Sequence, residues 1–139
     1  RLSDAGLARC LSRLSDAGLA RCLSRLSDAG RKKAKEIIDA IPLVADPYSQ
    51  IAKALKGGGC LRMSDWHSCK TTHCIAGWTV HVAGKAGYDL ERITDTATAA
   101  AAILRKSRPN APLPNFYAPD EAAMAFLEAR AAEEATKAK

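Results

Sequence analysis

Aromatic residues are scarce in this sequence, 5% of the chain with two tryptophans and two phenylalanines. Large rings therefore cannot fill a sandwich interior, and burial must come from Leu, Ile, Val and an abundance of Ala, which suits closely packed helices. Also missing is any apolar run of the roughly 20 residues that a bilayer span requires, or the charged, apolar and small-residue order of a signal peptide. The expectation is a cytoplasmic protein with no membrane partner. The cysteines, Cys10, Cys22, Cys60, Cys69 and Cys74, are odd in number, and two fall at equivalent places in a repeat. That is not the pattern of a secreted disulfide framework, so reduced thiols or a metal site fit better. A C-x2-C knuckle is absent. Gly57-Gly58-Gly59 is followed by Cys60-Leu61 instead of the Lys-Ser/Thr of a phosphate loop, so the triple glycine reads as a joint.

What remains, at 139 residues, has room for one core plus attachments. The formal charge is +6, and the basic excess sits in the middle of the chain, in Arg31, Lys32, Lys33 and Lys35 and again in Arg105, Lys106 and Arg108. Nucleic acid or another acidic partner is compatible with that balance, and so is ordinary solubility.

The chain opens on a repeat. RLSDAGLARCLS occupies residues 1–12, recurs unchanged at 13–24, and begins a third time at Arg25. As helix, Leu7, Cys10, Leu11 and Leu14 fall at i, i+3, i+4 and i+7, with Ser3 or Asp4 as a cap. Such units bury little alone, so residues 1–26 are expected to form a helical arm that packs on the body or on a second copy of the chain.

Residues 27–139 read as a small all-α domain, a bundle of about five short helices. Ser27 or Asp28 caps the first, which Pro42 breaks. Asp46-Pro47 starts the second, with Ile51, Ala54 and Leu55 as its buried face, and the glycines end it. Thr71 or Thr72 is expected to cap a third helix through Cys74, Ile75, Trp78, Val80 and Val82, stopped by Gly84 or Gly87. Thr94 or Asp95 caps the fourth, Ala97 to Lys106. After a proline-rich loop, Pro119-Asp120-Glu121 opens the last, with Met124, Leu127 and Ala131 on its apolar face.

Residues 60–81, CLRMSDWHSCKTTHCIAGWTVH, hold three of the five cysteines, all three histidines and both tryptophans. Thiolate sulfur and neutral imidazole are the natural ligands of tetrahedral zinc, which makes Cys60, His67, Cys69, His73 and Cys74, with His81 beside them, candidate ligands. Adjacent His73 and Cys74 point about 100° apart on a helix, which complicates shared ligation. A reactive cysteine is a second reading. Cys74 in a first helical turn would be favoured as thiolate, with His73 or His67 as its base and Asp65 as the group orienting it, or with Cys69 as a redox partner. A third is a recognition surface in which Trp66, His67 and Trp78 stack on a partner while Lys70, Arg62 and Lys85 meet phosphate. Against all three stands a plain core, with Cys74 as a small buried residue and Gly77 admitting a neighbouring helix.

The run Met63-Ser-Asp-Trp-His-Ser-Cys-Lys-Thr-Thr-His-Cys-Ile-Ala-Gly-Trp78, continuing to Gly87-Tyr88, resembles a group of small bacterial and phage-associated proteins with a W-H-x-C-x-T-T-H-C-x-A-G-W signature. Some of these carry pentapeptide repeats ahead of the domain. Asn115-Phe116-Tyr117-Ala118 and the Glu121 to Glu134 helix look like the end of the same domain, so the resemblance spans roughly residues 31–135. It implies one intact small domain and brings no activity, cofactor or partner with it.

The functional expectation is a non-enzymatic binding or assembly module, partnered by another protein or by itself through the arm. It carries no cofactor or a structural zinc. A cysteine-dependent enzyme or redox protein using Cys74, and a nucleic-acid-binding protein, are the alternatives.

Overall fold

The computed structural model describes residues 21, 23–69 and 71–137. The expected repeat arm lies, apart from its last few residues, outside the described residues, and so does Lys70. Six helices are described: α1 (Asp28–Ala40), α2 (Pro47–Lys56), α3 (Ile75–Val82), α4 (Gly84–Ile93), α5 (Thr96–Ser107) and α6 (Asp120–Lys137). Between α2 and α3 lie three short strands, β1 (Cys60–Leu61), β2 (His67–Cys69) and β3 (Thr72–His73).

The chain is thus mostly helical, and the all-α expectation needs two corrections. The stretch expected to lead into a helix is instead a small sheet of order β1-β3-β2, with β1 parallel and β2 antiparallel to β3. Strands of two or three residues are too short to show alternation in the sequence. Backbone bonds across the intervening loop hold them, from Cys60 N–H to the Thr71 carbonyl (2.7 Å) and from Arg62 N–H to the His73 carbonyl (3.0 Å). The second correction is α4: α3 does end at the expected glycine, its last residue being Val82, but the chain turns directly at Gly84 into a further helix where none was expected. Gly84, at φ +71°, turns the chain between α3 and α4 in the left-handed region that glycine enters at little cost.

Helix starts follow their capping chemistry. Ser27 Oγ accepts from Gly30 N–H at 3.2 Å, and Asp95 Oδ1 accepts from Thr98 N–H at 2.7 Å, as side-chain oxygens at N-caps do. At α2 Pro47 is in the first turn, but Asp46 makes no side-chain cap. Glu134 of α6 does that work from a distance, with Oε1 2.7 Å from Ser49 N and Oε2 3.4 Å from Tyr48 N. Its charge is also met by Arg108 Nη1 at 2.6 Å, the pairing that a carboxylate only 1% exposed requires.

Residues 75–80 of α3 are all buried, as expected of a helix apolar on every side. This helix packs against α2, α4 and α5, while α2 packs on α6. Two clusters make the main core: Val44, Val80, Leu90, Ala99, Ala102 and Ile103, and then Tyr48, Ile51, Ile75, Trp78, Leu104 and Leu127. Ala34 and Ile37 of α1 form a separate cluster with Leu23, Leu26 and Ile38. Among the described residues no helix is long and apolar enough to cross a membrane.

Candidate functional site

The sheet brings the histidines together. His67 and His73 are register partners across β2 and β3, which places both rings on one face. Their Nδ1 atoms are 2.7 Å apart, and His67 Nε2 is 2.6 Å from Oε2 of Glu91 on α4. The same oxygen accepts from Thr96 Oγ1 at 2.8 Å. A polar chain therefore runs from the start of α5 through Glu91 and His67 to His73, which is 2% exposed. His81, one α3 turn beyond Trp78, stacks on His73 at 4.9 Å between ring centres, and its Nδ1 lies 2.9 Å from Tyr88 Oη. Burial, and then the charge of Glu91, push the Tyr88 phenol up, so a protonated oxygen faces His81.

Cys74 is the cap of α3, correcting the expectation that Thr71 or Thr72 holds that position. Its sulfur accepts from Gly77 N–H at 3.3 Å and lies 3.8 Å from the Trp66 carbonyl oxygen. Completely buried, the thiol is pushed up by desolvation against the pull of the Gly77 and Ala76 amides. Loss of solvation outweighs the helix terminus here, against the thiolate that the reactive-cysteine reading needs and in line with the reading of Cys74 as a small buried residue. Asp65 does not orient a histidine, since its Oδ2 takes the hydroxyls of Ser64 (3.4 Å) and Ser68 (3.1 Å). Cys69 behaves in the opposite way to Cys74. It is exposed, its sulfur is 3.5 Å from Thr71 Oγ1, and the hydroxyls of Thr71 and Thr72 lower its thiol to about 7.

Of the candidate ligands, Cys60 and Cys69 are exposed on the strands and Cys74 caps α3. Among the described residues, no group of three or more His, Cys, Asp or Glu side chains stands where it would hold a metal ion. Trp78 is 2% exposed, with its indole N–H donating to the Cys60 carbonyl at 2.8 Å and His73 edge-on at 4.7 Å. It offers no face to a partner and instead fastens β1 to α3. Gly77 admits the backbone carbonyl of Trp66, which a Cβ would strike, and not a neighbouring helix.

Trp66 itself points outward. It is 39% exposed and meets Tyr117, 79% exposed, edge to face at 5.9 Å between ring centres. Asn115 presents Tyr117: its Oδ1 accepts from the Tyr117 N–H at 2.9 Å, and its backbone carbonyl accepts from the Ala118 N–H at 3.2 Å, a side-chain turn of the kind asparagine forms. The two rings border an open cleft of about 440 Å3 whose other walls include Glu91, Asp95, Thr96 and Thr98. Glu91 is thus shared between the histidine chain and the cleft. Sequence reasoning missed Glu91, Tyr88, Thr96 and Tyr117. The available signal was an asparagine turn ahead of a tyrosine in a proline-rich loop. The chain matches no known family model, no curated protein and no solved structure.

Proposed function

We propose that this chain is a non-enzymatic helical recognition module whose contact surface is the cleft between Trp66 and Tyr117. The observation that carries the reading is the pair of exposed rings at the mouth of a cleft in a chain with so few aromatics to spare. Exposed aromatics gathered beside polar groups are the usual anchors of binding surfaces. The histidine chain serves this surface as a brace. Both ring nitrogens of His67 are engaged, by His73 and by Glu91, leaving neither to act as a base on a bound molecule. The burial of Cys74 argues in the same direction.

The test uses the indole N–H resonances of the two tryptophans in 15N-labelled full-length protein. Short peptides of different charge and a single-stranded oligonucleotide are titrated in turn. Recognition at the cleft shifts the Trp66 signal and leaves the core Trp78 signal in place, and the response disappears in Tyr117→Ala. A Trp66 signal that no probe moves would discard the reading. Oligonucleotide binding that maps to exposed Arg31, Lys32, Lys33 and Lys35 of α1, and weakens steeply with salt, would favour the nucleic-acid alternative.

A second reading, thiol chemistry, is favoured by the exposed and acidic Cys69. It attaches to Cys69 in place of Cys74, and reversible mixed-disulfide formation at Cys69 on exposure to oxidised glutathione would support it.

A further inference from the structure

We infer that the Trp66–Tyr117 cleft is a site for an organic cation, and that its occupant is a lysine or arginine side chain carried on a partner protein. The inference rests on the recognition reading above and adds the chemistry of what is recognised.

Charge separates the ligand classes. Glu91 and Asp95 stand in the cleft wall, and no lysine or arginine is among the described residues that line it. His67 and Thr96 both act on Oε2 of Glu91, which leaves Oε1 outside either bond. The start of α5 also borders the cleft, and a bare helix N-terminus would attract an anion. Here Asp95 already meets that end, by accepting the Thr98 N–H. An incoming phosphate or carboxylate would find the helix terminus answered and two like charges beside it. A cation would instead meet carboxylates and aromatic rings together, the combination that attracts ammonium and guanidinium groups. In an edge-to-face pair the ring whose edge makes the contact keeps its own faces available for such a group.

Shape indicates a side chain on a polypeptide. The cleft is within the size range of small-ligand sites, yet it is open, and Tyr117 in its wall is itself mostly exposed. A free amine would leave both ring edges in water, whereas a polypeptide passing over the mouth would cover them. The chain's charge of +6 opposes a strongly basic partner at long range, so the contact is local, a single cation in a surrounding without excess positive charge.

The probes are therefore short peptides with neutral flanks and one central lysine, arginine, glutamate or norleucine, together with N-acetyl-lysine amide as the free amine. Binding is followed by the Trp66 indole signal in the full chain, with the Trp78 signal confirming the fold of every variant. The lysine or arginine peptide is expected to bind at the cleft, about fivefold more weakly in Tyr117→Ala, and about threefold to tenfold more weakly in Glu91→Gln or Asp95→Asn. If Glu91→Gln disturbs the Trp78 signal, Asp95→Asn carries the charge test. Equal binding of the glutamate or norleucine peptide would overturn the cation inference while leaving the recognition reading intact. Equal affinity for N-acetyl-lysine amide would overturn the protein-borne occupant. A Trp66 signal silent to every peptide and to the oligonucleotide would remove both.

Discussion

His67 and His73 face each other across two short strands with their Nδ1 atoms 2.7 Å apart. Two ring nitrogens that close share one proton, so one ring donates and the other accepts. His73 is buried, and loss of its partner leaves that nitrogen without the bond. His67→Ala is expected to lower stability by about 1–3 kcal/mol, read from urea unfolding followed by circular dichroism. An unchanged midpoint would mean that the histidine pair contributes no net stability.

Trp78 joins what the chain separates. Its indole reaches the Cys60 carbonyl, and its ring lies in the cluster with Tyr48, Ile51, Ile75, Leu104 and Leu127. Trp78→Ala removes both the packing and the strand anchor, and should cost about 3–5 kcal/mol. Thermal denaturation checks this, and a melting temperature equal to that of the parent would take Trp78 out of the core.

The cysteines provide a pH-dependent prediction. Thiolates are what alkylating agents attack, and the Cys69 thiol is held at about 7 by neighbouring hydroxyls. Its rate with iodoacetamide should level off above that value, where the group is already ionised, and fall about tenfold per unit well below it. Cys74 is buried and its thiol is pushed up, so it should stay unmodified until denaturant is added. Peptide mapping by mass spectrometry separates the two sites. Rapid labelling of Cys74 in native protein would restore it as a candidate nucleophile.

Removal of residues 1–26 tests the division between arm and body. It takes Leu23 and Leu26 from the small cluster on α1 and no residue from the two large clusters. The truncated protein should unfold cooperatively, with faster amide exchange confined to α1. If the repeat is the assembly element, sedimentation will also show a lower oligomeric state. Loss of the cooperative transition would make the arm part of the core.

Much of the helical frame was readable from local chemistry. Ser27 and Asp95 cap where their side chains predict, Pro47 stands in the first turn of α2, and Pro119 precedes α6. These signals are legible because a cap or a proline acts on backbone groups within three or four residues of itself. The sheet was not legible, because Cys60–Leu61 and Thr72–His73 pair over eleven intervening positions with too few residues to show a period. Nor was α4, whose glycines at 84 and 87 carry the local signature of a helix end. Within the site, the crowding of cysteine, histidine and tryptophan into residues 60–81 marked the right segment, while Glu91 and Tyr117 belong to elements far along the chain.

Composition and pattern by themselves determined the helical class and most helix starts, since propensity, periodicity and capping are properties of neighbouring residues. Tertiary structure alone decided which of two similar tryptophans is core and which faces water. It also decided that Cys74 is buried among Ala76, Ala100, Met63 and Phe116 while Cys69 is ionisable in solvent, and that Glu91 meets His67. Burial and charge depend on what the rest of the chain brings alongside, and no window of sequence contains that information.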